Sequence, residues 1–200
     1  MALMAVVLLQ VWLVHELFPT LAIHGLPILT TVVAAALLVL DRDPRRRLGL
    51  LTSSAVRIAL GILVLGALSV PGSLYPGHSV NFLLKDYART VMLMVLVAAS
   101  VRGFADLRRY AWLQLAGVTL FSAVVLARSQ MGADGRLRDM AYYDVNDLAL
   151  LIVCTLPMVL YLWRAPARPW SRGLVLAATV FLMVTLGKTG SRGGFLGFVT

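Results

Sequence analysis

What this chain has little of decides its class. Only 14% of its 200 residues are charged, against about a quarter in soluble globular domains. Acidic residues are scarcer still, nine against 18 lysines and arginines. A chain so poor in charge, 60% hydrophobic and with a mean hydropathy of +0.88, cannot cover a water-facing surface and reads as an integral membrane protein. The single cysteine, Cys154, excludes a disulfide framework within the chain and, inside an apolar run, reads as a small buried hydrophobe. His15, His24 and His78 are scattered and match no metal spacing, so no metal site or cofactor is expected. GxGxxG, P-loop, HExxH and GxSxG motifs are missing, as are internal repeats of the kind that build many transporters. The acid shortage leaves a net charge of +9, which would suggest a nucleic-acid partner if the cations formed a stripe. They stand instead in short clusters between apolar runs, where they set topology, so no nucleic-acid partner is expected.

What is present is a series of apolar runs. Residues 2–18, 21–40, 48–70, 81–101, 110–127, 145–163 and 173–186 each read as a span, and an eighth begins at Gly193. The expected fold is an all-α, polytopic transmembrane helix bundle of about seven complete spans plus the start of an eighth. The whole of residues 1–200 reads as one transmembrane domain. Because Gly193 to Thr200 cannot reach across a core of roughly 30 Å, this domain is expected to be the N-terminal part of a longer protein. Residues 2–18 lack a basic start and a small-residue cleavage site, and so read as a first span and not as a signal peptide.

Loop charges give an orientation. Arg42, Arg45, Arg46, Arg47, Arg102, Arg108, Arg109, Arg164, Arg168 and Arg172 occupy alternate loops, against Asp41, Asp43 and Asp106. Those loops are expected in the cytoplasm, with the N-terminus. On the other face Lys85, Arg89, Arg128, Arg136, Arg138, Lys188 and Arg192 nearly balance Glu16, Asp86, Asp134, Asp139, Asp144 and Asp147. Arg57 stands some nine residues beyond Leu48, roughly 13 Å along a helix. It is either intramembrane and paired or, the preferred reading, the cytoplasmic edge of the span, with residues 48–56 interfacial.

Three stretches on the outer face can carry chemistry. Residues 187–197 place Lys188, Thr189, Ser191, Arg192 and five glycines between two apolar runs. Glycines admit close approach, and helix-opening N–H groups favour an anion, although a solvated turn with two interfacial cations has the same composition. Lys85 and Arg89, spaced i, i+4, would project from one side in the first turns of their span, as a site or as snorkelling cations. Asp144, Asn146 and Asp147 open the sixth span. Asp144 is an N-cap candidate, and the pair that follows is either local capping chemistry or a polar group drawn into the bilayer with a partner.

In order and separation, Asp-Val-Asn-Asp-Leu-Ala-Leu-Leu at 144–151, Pro157 in the same span, a basic turn, one more span and Thr-Gly-Ser-Arg-Gly-Gly-Phe-Leu-Gly at 189–197 resemble the O-antigen ligase and O-antigen polymerase family. These are bacterial inner-membrane glycosyltransferases related in fold to the GT-C class. The resemblance implies transfer of a glycan from an undecaprenyl-pyrophosphate carrier to an acceptor at the periplasmic face. The acceptor would be lipid A core, a growing glycan or a protein hydroxyl. It makes Arg192 the catalytic cation that binds the donor's pyrophosphate in an inverting, metal-independent transfer. Lys188, Ser191, Asn146, Asp147, Lys85, Arg89, Arg136 and Arg138 are then the substrate-binding candidates. The family's histidine-bearing periplasmic loop, which would hold the general base, is expected beyond Thr200. Two other classes compete. A transporter or flippase of an anionic or lipid-linked solute would need a polar route near the midplane, and a non-catalytic subunit of a polysaccharide assembly would need no catalytic loop.

Overall fold

The computed structural model describes residues 26–40, 53–101, 103–133, 135–138, 144–165 and 169–199. They are helical apart from loops and one two-residue antiparallel pairing. The helices are α1 (Leu26–Leu40), α2 (Ser54–Ser69), α3 (Pro76–Phe82), α4 (Ala88–Ser100), α5 (Phe104–Arg128), α6 (Val145–Arg164), α7 (Pro169–Thr189) and α8 (Arg192–Val199). Between α5 and α6, β1 (Gln130–Met131) pairs with β2 (Leu137–Arg138). The chain divides into two compact units, with the boundary between Gly103 and Phe104 in the described residues.

In the first unit α1 and α2 both pack on α4. Its core is thin, with Ala34 and Leu96 buried against Met92 and Leu93. Ile58, Ile62, Val64, Leu65 and Leu68 of α2 stay exposed, a face that bulk water would penalise and hydrocarbon would not.

The second unit is built around α6, which touches α5, α7 and α8. Leu148, Ile152, Val159 and Leu162 of α6 meet Ala111, Leu115, Val118, Phe121 and Val125 of α5, a spacing of threes and fours that keeps one stripe facing the partner. Val175 and Leu182 of α7 complete this core. Gln114 Nε2 donates to Thr155 Oγ1 at 3.5 Å and Tyr161 Oη donates to the Phe104 carbonyl at 3.2 Å, so α5 and α6 are antiparallel. Gly194 approaches Ala149 and Gly197 approaches Val153, so α8 runs in the same direction as α6.

Among the described residues, four helical segments are long and apolar enough to cross a membrane by length and composition: Ser54–Gly72, Phe104–Arg128, Val145–Arg164 and Pro169–Thr189. This is fewer than the seven spans expected. Residues 2–18 lie outside the described set, and of 21–40 only α1 is described, 15 residues long. The helix expected from Asn81 opens at Pro76, passes through a π turn at Leu83–Tyr87 and ends at Ser100. Lys85 and Arg89 therefore stand nine and thirteen residues past its start, roughly 14 and 20 Å along it, and not in its first turns. The π turn also breaks the register that sets i beside i+4.

Two further expectations change. α5 starts at Phe104 and α7 at Pro169, so Arg108, Arg109 and Arg172 are helical and not loop residues. Cys154 is exposed and not buried, because position 154 falls off the stripe formed by Leu148, Ile152, Thr155 and Val159. Arg57 falls in the first turn of α2, with Nη2 donating to Ser54 Oγ at 3.4 Å, as a residue at the edge of a span would. Residues 48–52 lie outside the described set.

Candidate functional site

The turn between α7 and α8 is shaped by its own sequence. Gly190 has a φ of 60°, the left-handed region that glycine enters without Cβ strain, and its N–H donates to the Gly187 carbonyl at 3.2 Å. Thr189 Oγ1 donates to the Leu186 carbonyl at 2.7 Å and accepts from Ser191 N–H at 3.2 Å. Ser191 then caps α8, its Oγ accepting from Gly194 N–H at 3.1 Å. The same Oγ donates to Asn146 Oδ1 at 2.8 Å, across 45 residues of chain.

Asn146 is held from its other side. Its Nδ2 donates to Asp144 Oδ2 at 2.9 Å, while Asp144 Oδ1 accepts from Val145 N–H at 2.6 Å and caps α6. Asp144, Asn146, Ser191 and Thr189 thus form one hydrogen-bonded chain that ties the opening of α6 to the opening of α8. Thr189 and Ser191 are buried, and Asn146 and Asp147 are exposed. An alanine methyl at Gly190 would lie 2.7 Å from Arg136 Cδ and 2.8 Å from its Nε, so the Arg136 stem covers this turn.

Among the residues singled out in the sequence, the structure brings Asn146, Ser191 and Arg136 together. Lys188 is half-buried in the last turn of α7, and Arg192 is exposed at the first position of α8. Asp147 stands one turn into α6, its N–H on the Asp144 carbonyl. Arg138 belongs to β2, its backbone opposite Gln130. Lys85 and Arg89 belong to the first unit, both exposed. The role of Thr189 was not foreseen, although Thr-x-Ser is a spacing at which a hydroxyl accepts from a backbone N–H two residues on.

Two grooves flank α8. One, of about 810 Å³, is lined by Met183, Leu186, Phe195, Leu196 and Phe198, with Ser191 and Arg192 at its polar end. The other, of about 320 Å³, lies between α8 and α6 over Leu150, Val153 and the glycines 193, 194 and 197, with Asn146 and Ser191 at its end. An exposed guanidinium beside a long apolar trough suits an amphiphile with an anionic head. Comparison of the chain with protein-family models, with curated proteins and with solved structures gives no match.

Proposed function

We propose that this chain forms the donor-binding part of a membrane glycosyltransferase of the O-antigen ligase and polymerase type, which transfers a glycan from an undecaprenyl-pyrophosphate carrier. The observation that carries the reading is the apolar groove ending at Arg192, beside a Ser191 fixed by Asn146. Both stretches behind the family resemblance, 144–151 and 189–197, contribute to that junction.

In this reading the diphosphate lies against Arg192, with Lys188 and Arg136 adding positive potential, and the isoprenoid tail lies along the groove. The acceptor hydroxyl oxygen attacks the anomeric carbon as that carbon's bond to the diphosphate oxygen breaks; the hydroxyl proton passes to a general base and the diphosphate leaves as the anion. Arg192 stabilises the charge that develops on the departing oxygen, the largest electrostatic demand of such a transfer. Ser191 and Asn146 hold the turn that presents Arg192. The Ser191 end faces the periplasm of a bacterial inner membrane, the chain crosses that membrane seven times in a GT-C-like bundle, and the N-terminus is cytoplasmic.

The test is equilibrium binding of undecaprenyl diphosphate, against undecaprenol, to the chain in lipid nanodiscs. Wild type should prefer the diphosphate. R192A should lose about ten-fold or more of that preference and R192K should retain part of it, as expected when one charged contact is removed. Equal binding of the two lipids by wild type, or no change in R192A, would refute the proposal. A transfer assay in membranes with the same variants checks the chemical step.

A further inference from the structure

The end of the second unit opposite Ser191 carries a different cluster. Because α5 and α6 are antiparallel and α7 returns beside α6, the start of α5, the end of α6 and the start of α7 come together there. They bring Arg108, Arg109, Arg164 and Arg172 to one end. Asp106 is the acidic residue present among the described residues at that end, and it pairs with Arg109 at 3.5 Å. Arg108, Arg164 and Arg172 have no carboxylate partner among the described residues, and Arg108 is half-buried, its Nε enclosed without an acceptor.

Local structure does not account for this clustering. Arg108 and Arg172 stand close to the first turns of α5 and α7, the pole at which a helix disfavours a cation. Three like charges at one end of a bundle also repel one another. The residues around them are Phe104, Trp163 and Trp170, all exposed, which are amphipathic or apolar groups suited to the boundary between headgroup and chain. Tyr161, hydrogen-bonded to Phe104, fixes α5 against α6 at that level.

We infer that this end binds the phosphate headgroups of anionic glycerophospholipids through Arg108, Arg164 and Arg172, with Trp163 and Trp170 against the glycerol and upper chains. The phosphates supply the counter-charge that Arg108, Arg164 and Arg172 lack among the described residues, and the exposed aromatics select an amphiphile over free phosphate. The inference does not depend on any glycan chemistry at the other end.

The experiment reconstitutes the whole chain in bilayers of phosphatidylcholine with rising phosphatidylglycerol, one or the other brominated. Quenching of tryptophan fluorescence, read in a W12F/W112F background so that Trp163 and Trp170 are the reporters, then gives the relative affinity of the two lipids. Wild type should favour phosphatidylglycerol about five-fold or more at low ionic strength, the scale of one arginine near an anionic surface. The triple variant R108Q/R164Q/R172Q should bring the ratio near one, and R108K/R164K/R172K should retain it. R128Q, at the opposite end of α5, should leave it unchanged.

The inference is overturned if the glutamine variant keeps the preference, if the opposite-end variant loses as much, or if inorganic phosphate abolishes it at the ionic strength of a matched chloride control. Should the glutamine variant fail to fold, the same ratio is read in wild type as sodium chloride is raised. A preference that survives high salt would overturn it equally.

Discussion

The contact most exposed to a single methyl group is that between Gly194 and Ala149. A Cβ added at Gly194 would lie 2.5 Å from the Ala149 Cβ and 3.3 Å from Leu186 Cδ1. Carbon atoms pack at about 3.5 to 4.0 Å, so Gly194→Ala is short by roughly 1 to 1.5 Å. The obstructing atom is a Cβ, one bond from the α6 backbone, so no rotamer change relieves the clash and α8 must move off α6. Overpacking of this kind costs about 1 to 3 kcal/mol. The displacement also stretches the 2.8 Å bond from Ser191 to Asn146. Unfolding in mixed detergent micelles should show that loss for G194A. A149G alone should cost about 1 kcal/mol, from glycine in a helix. The double variant G194A/A149G removes the clash, so its loss should fall short of the sum of the two by at least about 1 kcal/mol. Additive losses, or a G194A variant within about 0.5 kcal/mol of wild type, would refute the close approach of α8 to α6.

Three further outcomes follow from the same turn and core. Gly190→Ala should destabilise by about 1 to 2 kcal/mol in the same assay, from its left-handed φ, and Gly190→Asn by less, since asparagine tolerates that region and the Arg136 stem can move aside for either. Ser191→Ala should cost about 1 kcal/mol through the lost cap on α8, and Ser191→Thr should restore most of it. In the α5–α6 core, Gln114 Oε1 is buried with no partner among the described residues. Thr155→Val alone should cost about 1 to 3 kcal/mol by also stranding the Gln114 amide nitrogen, whereas Q114L/T155V should be neutral or stabilising by thermal unfolding.

The parts of the fold legible in the sequence are those fixed by local chemistry. Asp144 as a cap and the run from Val145 place the start of α6, and the observed end, Arg164, is one residue beyond the expected one. Gly193 as the start of the last helix misses by one residue. The arginine clusters do not mark the helix starts. Phe104 to Arg109 and Trp170 to Arg172 are helical, because arginine is a good helix former and Pro169 suits a first turn. The π turn at 83–87 left no periodic signal by which to place it. At the candidate site, residue types were legible and partners were not. Asn146 reads as a capping residue or as a polar group in need of a partner, but its pairing with Ser191 depends on how α7 returns α8 beside α6. That return is decided by the fit of Gly194 on Ala149, a contact of two small residues with no sequence pattern of its own.

Because α8 lies alongside α6 and runs in the same direction, the two peptide dipoles are parallel neighbours with their positive ends at one place. Each end carries about half an elementary charge, and Arg192 adds a whole one, against Asp144 and Asp147. Antiparallel neighbours such as α5 and α6 attract through the same term. The two carboxylates outweigh the positive end of α6, whereas Arg192 adds to that of α8, so the two helix starts attract and the seam is held there by charge as well as by close packing and Ser191. Dissolved salt screens that attraction and loosens the seam at its Ser191 end, leaving the packing of Gly194 on Ala149 untouched.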